Sequence, residues 1–293
     1  MKQTQKAILA SLIGNSIFGF SFLFSKVALG IVSPFVLLSI RFLTAFLVLN
    51  LLCLTGKCKI SLRGKPVGLL LLLGLVQPVC YFICETYGIS MTSASFSGVM
   101  IGLAPVVGLI FGMLFLKEKC TLLQGVCTIL SAIGVGMTTT GGFGASLGGF
   151  LMLLGAVCSA ALFAILSRRI AGLFSAFERT YVMFALGSTV FTSIALAQNG
   201  WNPSALLAPL TQPTFVIAVL YLAVVSSVCA FLLINYALSH IPVGRALIFS
   251  NFTTVISVLA GIFIMKDAFT PMQLLGMAII TASVFGVSVQ KEE

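Results

Sequence analysis

Long apolar segments alternate with short polar ones along the whole 293-residue chain. Runs of roughly 20 apolar residues recur, and each is long enough to cross a hydrocarbon core about 30 Å thick. Segments such as residues 67–83 are apolar on every side of a helix. A membrane β-barrel would instead need strands of about 10 residues with alternating polarity. The pattern therefore predicts an all-α membrane protein.

The segments that are long enough number ten, and we predict ten transmembrane helices. The first lacks a small-residue cleavage site and is too long for a removable signal peptide, so we keep it as a structural helix. The predicted spans are residues 7–29, 34–54, 66–88, 92–116, 121–141, 147–169, 176–198, 213–238, 244–265 and 270–289.

Composition excludes a water-soluble globule. Hydrophobic residues make up 59% of the chain and charged residues only 8%, with a mean hydropathy of +1.19. A soluble domain has about 25% charged residues.

Basic residues gather on one side of the predicted membrane. Only Lys266 falls on the other side, and Lys26 and Arg41 lie inside spans. This asymmetry predicts that both termini are cytoplasmic. We expect a multi-pass protein of the bacterial inner (plasma) membrane. Topology thus explains the net charge of +10 without a nucleic-acid partner. The thirteen residues on the predicted cytoplasmic side are Lys2, Lys6, Lys57, Lys59, Arg63, Lys65, Lys117, Lys119, Arg168, Arg169, Arg179, Arg245 and Lys291.

The same polar pattern occurs twice, as FLKEKCTLLQG (115–125) and IMKDAFTPMQL (264–274). Asp267 lies 149 positions after Glu118, and the same offset aligns several polar pairs. Earlier in each half the offset is 142, where FSKVALG (24–30) faces LSRRIAG (166–172). We predict two tandem five-helix repeats, residues 1–141 and 142–293.

The repeated pattern also predicts two helix starts. A Thr followed three residues later by Gln has the spacing of an N-terminal capping box, which satisfies backbone amides that lipid cannot. The first role of these turns is therefore structural, and a direct role of Glu118 or Asp267 in transport is the alternative. The turn residues are Glu118, Thr121, Gln124, Asp267, Thr270 and Gln273.

An odd number of helices per repeat makes the second repeat enter the membrane from the opposite side. Inverted repeats recur in secondary transporters, whose binding sites lie near the midplane between the two halves. The architecture therefore favours a transporter.

Several segments resemble a known family. They are LKEKCTLLQGVCTILSAIGVGM (116–137), MKDAFTPMQLLGMAIITASVFGV (265–287) and YGISMTSASFSGVMIGLAPVVGLIFG (87–112). Together with the ten-helix layout, they resemble the EamA-like permeases of the drug/metabolite transporter superfamily over essentially the whole chain. The resemblance implies a helical bundle with a central cavity and alternating access of small organic solutes, with export more often than import.

Polar residues inside spans should face a cavity or one another, because lipid exposure is expensive. Hydroxyl-bearing residues of the ninth span are also explained by close helix packing. For Glu85 three interpretations stand: a solvated residue near the outer end of its span, an ion pair with Lys26 or Arg41, or a place at the outer end of the pathway that meets a cation or a proton. The candidate pathway residues are Asn15, Lys26, Gln77, Tyr81, Glu85, Ser227, Asn235, Asn251 and Thr254.

Enzymatic and metal chemistry find no support in the sequence. A phosphate-binding loop is absent, Asp267 is the sole Asp and His240 the sole His. The cysteines lack metal-ligand companions, so neither a cofactor nor a metal is expected. We predict a secondary active or facilitative transporter that exports small metabolites, amino acids or drugs, driven by protons or by the solute gradient. The alternatives are an uptake permease of the same fold and a non-transporting scaffold or receptor.

Overall fold

The computed structural model describes residues 3–56, 60–116, 121–139, 146–241, 249–266 and 270–289. Every regular element in these ranges is helical, which confirms the prediction of an all-α protein. The α-helices are α1 (Gln3–Leu29), α2 (Pro34–Leu54), α3 (Val67–Ser90), α4 (Ala94–Ile101), α5 (Ala104–Leu116), α6 (Leu122–Thr139), α7 (Leu147–Arg169), α8 (Ala176–Gln198), the short α9 (Ser204–Leu207), α10 (Pro213–His240), α11 (Ser250–Ala260) and α12 (Pro271–Val289).

Seven helices in the described ranges are long and apolar enough to cross a membrane: α1, α2, α3, the run Ala94–Phe111, α7, α8 and α10. Shorter apolar helices cover Gly125–Gly134, Thr253–Met265 and Leu274–Ser283. The protein is therefore a multi-pass membrane protein by the length and composition of its helices, and ten spans remain a prediction.

Local sequence explains where several helices begin. Pro34 opens α2, where its missing N–H leaves no backbone partner unsatisfied. At the start of α8, Ser175 Oγ accepts from the Glu178 amide (3.1 Å), and Glu178 Oε2 accepts from the Ser175 amide (2.8 Å). This reciprocal pair satisfies two amides that the helix itself cannot.

The two repeated turns precede helices, as expected. Helix α6 begins directly after Thr121 and α12 directly after Thr270, and each of these carbonyls accepts a helical bond, from Gly125 and Leu274. The acids Glu118 and Asp267 and the side chains of Gln124 and Gln273 lie outside the described residues, so the capping boxes stay predictions.

Several helical runs in the described ranges depart from regular α geometry, including the π-helical segment Gly261–Met265 that follows α11. Helix α3 contains a π-helical segment, Leu75–Cys80, in which Gln77 has φ −147° and ψ 117°. Helix α10 contains a π-helical segment at Tyr221–Ala230. The predicted span 92–116 is divided after Ile101 into α4 and α5, which corrects the single helix that its apolar pattern suggested. Such irregularities often occur at functional sites in membrane helices.

Pairs of helices pack along the bundle in a regular scheme. Helix α6 packs on α12, α2 on α8, and α4 on α11. The second half of α3 packs on α7, and α1 packs on α10 and α11. At the centre, the Phe42 ring meets Phe82 (4.9 Å between centroids) and Phe184 (5.2 Å) edge to face. Leu54 and Leu122, 82% and 86% exposed, face outward as lipid-facing residues do.

Small residues bring α4 and α11 into close contact. Thr254 Oγ1 donates to the Gly98 carbonyl (3.1 Å). A Cβ atom at Gly98 would lie 1.7 Å from Ser257 Oγ, and one at Gly102 would lie 2.0 Å from Thr254 Oγ1. This contact is the close packing that small residues permit between membrane helices.

Two polar contacts define the two ends of the bundle. Lys65 and Glu178 form an ion pair (2.8 Å) where α3 and α8 begin. At the other end of α3, Lys26 Nζ donates to the Ile89 carbonyl (2.8 Å), so α1 and α3 finish at the same face.

Candidate functional site

A cavity of about 100 Å³ lies between α1, α2, α3, α7, α10 and α11. Phenylalanine rings form much of its wall, at Phe18, Phe22, Phe82, Phe163 and Phe231. Because a single water needs only about 10–15 Å³ measured in this way, the cavity has room for several waters or a small solute.

One face of α3 supplies three polar side chains to this cavity. Tyr81 Oη donates to Glu85 Oε1 (2.8 Å), one helical turn further along. The Gln77 side chain is 6% exposed, and its Oε1 atom has no hydrogen-bond partner among the described residues. The irregular backbone at Gln77 sets its side chain in the cavity wall together with Tyr81 and Glu85.

Arg41 enters the same cavity from α2. Its Nε donates to Ser227 Oγ (2.9 Å) and its Nη2 to Ser226 Oγ (3.1 Å), both on α10. Its guanidinium carbon lies 4.4 Å from the centroid of the Phe82 ring, a cation–π contact. These contacts occupy Nε and Nη2, and Nη1 has no hydrogen-bond partner in the described part of the chain.

Glu85 does not form an ion pair with Lys26 or Arg41. In the ranges that the structure describes, the pair within 4.0 Å is Lys65 with Glu178. Lys26 instead donates to the carbonyls of Ile89 (2.8 Å) and Thr92, beyond the cavity. Arg41 and Glu85 therefore line one cavity without a direct ion pair between them.

Comparison with known proteins decides the family. The model of the EamA-like transporter family matches residues 5–140 and 147–289. The chain belongs to the EamA-like transporter family. It is thus a membrane transporter rather than an enzyme, and the resemblance seen in the sequence is confirmed.

Relatives of this EamA-like transporter cover nearly its whole length. The uncharacterized transporter YcxC of Bacillus subtilis (strain 168) is 33% identical over 99% of this chain and 95% of its own. The uncharacterized transporter YetK of the same organism is 25% identical over 100% of this chain and 90% of its own. A protein from Archaeoglobus fulgidus, also an uncharacterized transporter, is 21% identical over 91% of this chain and 93% of its own.

A crystal structure of another protein has the same fold. It superposes with a TM-score of 0.71 at 16% identity, covering 97% of each chain. At that identity the likeness concerns the fold alone.

The structure places the predicted pathway residues in different surroundings. Asn15, Gln77, Tyr81 and Glu85 line the cavity. Asn15 also ties α1 to α11, because its carbonyl accepts from Thr253 Oγ1 (2.9 Å). The others lie elsewhere: Ser227 holds Arg41, Lys26 lies at the end of α3, Thr254 packs on Gly98, and the Asn251 side chain lies outside the described residues.

Asn235 lies in a separate polar cluster and is fully buried. Its Oδ1 accepts from Ser167 Oγ (2.8 Å), and its Nδ2 donates to Thr180 Oγ1 (2.9 Å). Arg179 donates to the Asn235 carbonyl (2.7 Å) and to that of Ser167 (2.7 Å). Both polar atoms of the Asn235 side-chain amide and its backbone carbonyl thus bond to neighbouring helices.

Sequence reasoning did not select Arg41 as a cavity residue, although it lines the cavity wall. The signal was available, because a charged residue within a span is costly unless it faces protein or a cavity. Thr253 was also missed, one position from the Thr254 that was chosen.

Proposed function

We propose that this protein is a secondary active or facilitative transporter that moves small organic solutes through its central cavity by alternating access, in the export direction. Its ten spans form two inverted five-helix repeats, residues 1–141 and 142–293, in the bacterial inner membrane with both termini cytoplasmic. The observation that carries the proposal is the cavity itself, where hydrogen-bonding groups that have no partner among the described residues lie within an apolar bundle.

The packing scheme supports two related halves. If the halves are exchanged, α1 takes the place of α7, α3 that of α10, and α4 and α5 together that of α11. The contact of α3 with α7 then becomes the observed contact of α10 with α1. The pairs α2 with α8, α4 with α11, and α6 with α12 map onto themselves. This scheme is expected of repeats related by an axis between them.

Two hydrogen bonds, one in each half, are also related by this exchange of the halves. Lys26 Nζ donates to the Ile89 carbonyl (2.8 Å), and Arg168 Nη1 donates to the Leu238 carbonyl (3.1 Å). The cations lie 142 positions apart and the acceptors 149, the two offsets of the repeated sequence. We name these contacts the Lys26 latch and the Arg168 latch.

The two latches close opposite ends of the bundle. The Lys26 latch joins the ends of α1 and α3, away from the face that carries the Lys65–Glu178 pair. The Arg168 latch joins the ends of α7 and α10, beside the start of α8 that carries Glu178. Opening the cavity to one face requires release of one latch while the other holds, as alternating access demands.

The transport proposal is tested in proteoliposomes that contain the full chain. Labelled amino acids, amines and other small metabolites are offered with and without an imposed pH gradient. We expect saturable flux of at least one solute above protein-free vesicles. Folded protein that gives no saturable flux with widened panels would contradict the transporter proposal, and flux in the inward direction alone would contradict export.

Glu85 is the proposed contact for a cationic group or a proton along the path. The Glu85→Gln and Glu85→Ala variants are therefore expected to lose gradient-dependent flux, whereas Lys65→Met, which removes a charge from the ion pair at the start of α3, should keep it. Wild-type flux of both Glu85 variants across pH would rule out this role.

The latches are tested by cavity accessibility. A Thr253→Cys reporter in a background without native cysteines lines the cavity, and impermeant thiol reagents are applied from each side. Lys26→Met and Arg168→Met should raise labelling from opposite sides, because each releases one end. Labelling that rises from the same side in both variants would contradict the paired-latch mechanism.

A further inference from the structure

The connection between α8 and α10, residues 199–212, is uncharged and carries exposed apolar side chains. It contains Trp201, the sole tryptophan of the chain, which is 67% exposed. Leu207 and Leu210 follow in the same connection and are 62% and 41% exposed. Three large apolar side chains exposed in so short a connection indicate a contact outside the chain.

This connection lies at the face of the bundle away from the Lys65–Glu178 pair. Helix α8 begins beside that pair and runs to Gln198 at the other face, where the connection starts. At the face of the pair, residues 55–66 join α2 to α3 and include four basic residues. The two connections therefore differ in chemistry, since one is basic and the other is uncharged and apolar.

The backbone at the end of α8 holds Trp201 in an unfavourable conformation. Gly200 and Trp201 both have left-handed backbones, with φ of 62° and 60°. The Trp201 amide donates to the Leu196 carbonyl (2.7 Å), which fixes this conformation at the helix end. Glycine adopts the left-handed region readily, whereas a bulky side chain does so at a cost. A strained residue that exposes most of its side chain again indicates a contact made outside the chain.

The rest of the connection is folded onto the bundle with an apolar side outward. Helix α9 is followed by a turn of 3₁₀-helix, Ala208–Thr211. Leu206 packs on a cluster of buried side chains, and Pro209 is buried. Leu207 and Leu210, each next to one of these inward residues, are exposed. A regular segment thus presents the outward leucines.

The flanking helices decide which partner this apolar side meets. Helices α8 and α10 are both long and apolar enough to span a membrane, so the connection between them lies at a bilayer surface. Ile217 and Leu220 are also exposed, and they extend the apolar surface from the connection into the first turns of α10. An indole suits this depth, because its ring is apolar and its N–H donates to polar groups at the membrane surface.

We propose that residues 199–212 form an interfacial anchor, which inserts Trp201, Leu207 and Leu210 into the boundary between the headgroups and acyl chains of the surrounding bilayer. The anchor fixes the depth in the membrane of the end of the bundle where α8 finishes and α10 begins. Because the connection has no charge, the contact depends on apolar burial and not on anionic headgroups. This inference concerns the placement of the protein in lipid and is independent of the proposed transport.

Tryptophan fluorescence of the full chain in vesicles tests the anchor, because the sole tryptophan reports on this connection alone. The vesicles contain phosphatidylcholine brominated either near the headgroup end or near the methyl end of the acyl chain, and iodide is present on both sides. We expect bromines near the headgroup to quench Trp201 at least about twofold more than the deep bromines. Iodide should quench it at least about twofold less than N-acetyltryptophanamide in water.

Three outcomes of this experiment would overturn the anchor. Iodide quenching equal to that of N-acetyltryptophanamide would place Trp201 in water. Stronger quenching by the deep bromines would place it in the hydrocarbon core. Protection from both kinds of quencher would show that a second copy or another protein covers it.

Leucine variants test the rest of the anchor. Leu207→Ser combined with Leu210→Ser should raise iodide quenching of Trp201 by about twofold, because the connection loses part of its apolar contact. Leu173→Ser is the matched control, since Leu173 is an exposed leucine of the turn between α7 and α8, at the opposite face, and should leave the quenching unchanged. Unchanged quenching in the double variant, or an equal rise in the control, would contradict the part assigned to the two leucines.

Addition of phosphatidylglycerol to the vesicles separates apolar insertion from attraction by charge. Quenching by bromines near the headgroup should stay unchanged, because residues 199–212 carry no charge. A rise of about twofold or more would show that headgroup charge holds this face of the protein, contrary to the proposal.

Discussion

Two buried arginines, one in each half of the chain, are held in different ways. Arg179 on α8 is 0% exposed, and its terminal nitrogens donate to Ser167, Asn235 and Ser239. Arg41 on α2 is 2% exposed, donates to two serines, and keeps one nitrogen free of described partners beside the cavity.

The helix ends explain how Arg179 is buried although it forms no ion pair within the described residues. Its acceptors include the carbonyls of Ser167 and Asn235, in the final two turns of α7 and α10. Helix C-termini carry partial negative charge, which stabilises a cation. The Arg179 cluster thus fixes three helices together, whereas Arg41 borders space that a solute can enter. The polar groups of the Arg179 cluster are bonded to one another and hold the helices together, whereas Arg41 and Gln77 at the cavity each keep an atom without a described partner.

The largest effect is expected at Arg179. Arg179→Met should lower the free energy of unfolding by about 3–5 kcal/mol, because several buried acceptors lose a charged donor at once. Chemical denaturation in mixed micelles measures the loss. Arg179→Lys should give an intermediate loss, since one ammonium cannot match the reach of a planar guanidinium. An Arg179→Met variant as stable as wild type would show that Arg179 does not hold the helices together, contrary to the contrast drawn with Arg41.

Added volume should separate the closed contacts from the cavity. Gly98→Ala places a Cβ atom 1.7 Å from Ser257 Oγ and should cost about 1–3 kcal/mol. Ala164→Val adds two methyl groups at the cavity wall and should cost less than about 1 kcal/mol, because space is present there. Thermal unfolding of both variants measures the difference, and equal losses would show that the cavity is as tightly packed as the α4–α11 contact.

The sequence predicted the helices well because hydrophobic length is a local property. Helices α2, α7 and α8 have the predicted bounds, and the starts of α6 and α12 follow the Thr residues of the repeated turns. The break after Ile101 was not predicted, since the segment is apolar on both sides of it.

Site residues were harder to predict because partners come from distant parts of the chain. Asn15 and Asn235 are the same residue type in apolar spans, yet Asn15 borders the cavity and Asn235 binds Ser167 and Thr180. Which helices meet decides between these outcomes, and no local pattern encodes it. Gln77, which the sequence predicts on one helical face with Tyr81, lines the cavity together with it, and its role in a pathway stays a prediction.

Gln77 predicts a gain rather than a loss. Gln77→Met removes a buried acceptor that has no described partner, so the empty protein should become more stable by about 1–2 kcal/mol. Chemical denaturation without solute measures the gain. Ser131→Ala is the control, because it also removes a buried polar atom that has no partner among the described residues. Loss of stability would mean that the Gln77 amide stabilises the fold. Arg41 and Glu85 would then be the charged groups left as candidates for solute contact at the cavity.

The smallest change in the free energy of unfolding is expected at Arg41, and this prediction tests the comparison of the two arginines most directly. Arg41→Gln removes the guanidinium, but the Ser226 hydroxyl still accepts from Ser21 (2.6 Å), and water in the cavity can replace the remaining bonds. The free energy of unfolding should therefore change by less than about 1 kcal/mol, whereas Arg179→Gln, the matched variant in the closed cluster, should lose several times more because the acceptors of this fully buried side chain lose a charged donor. Parallel denaturation of the two Gln variants decides the matter. Comparable losses would make both arginines structural ties, and the charges of the cavity would then need no solute to explain them.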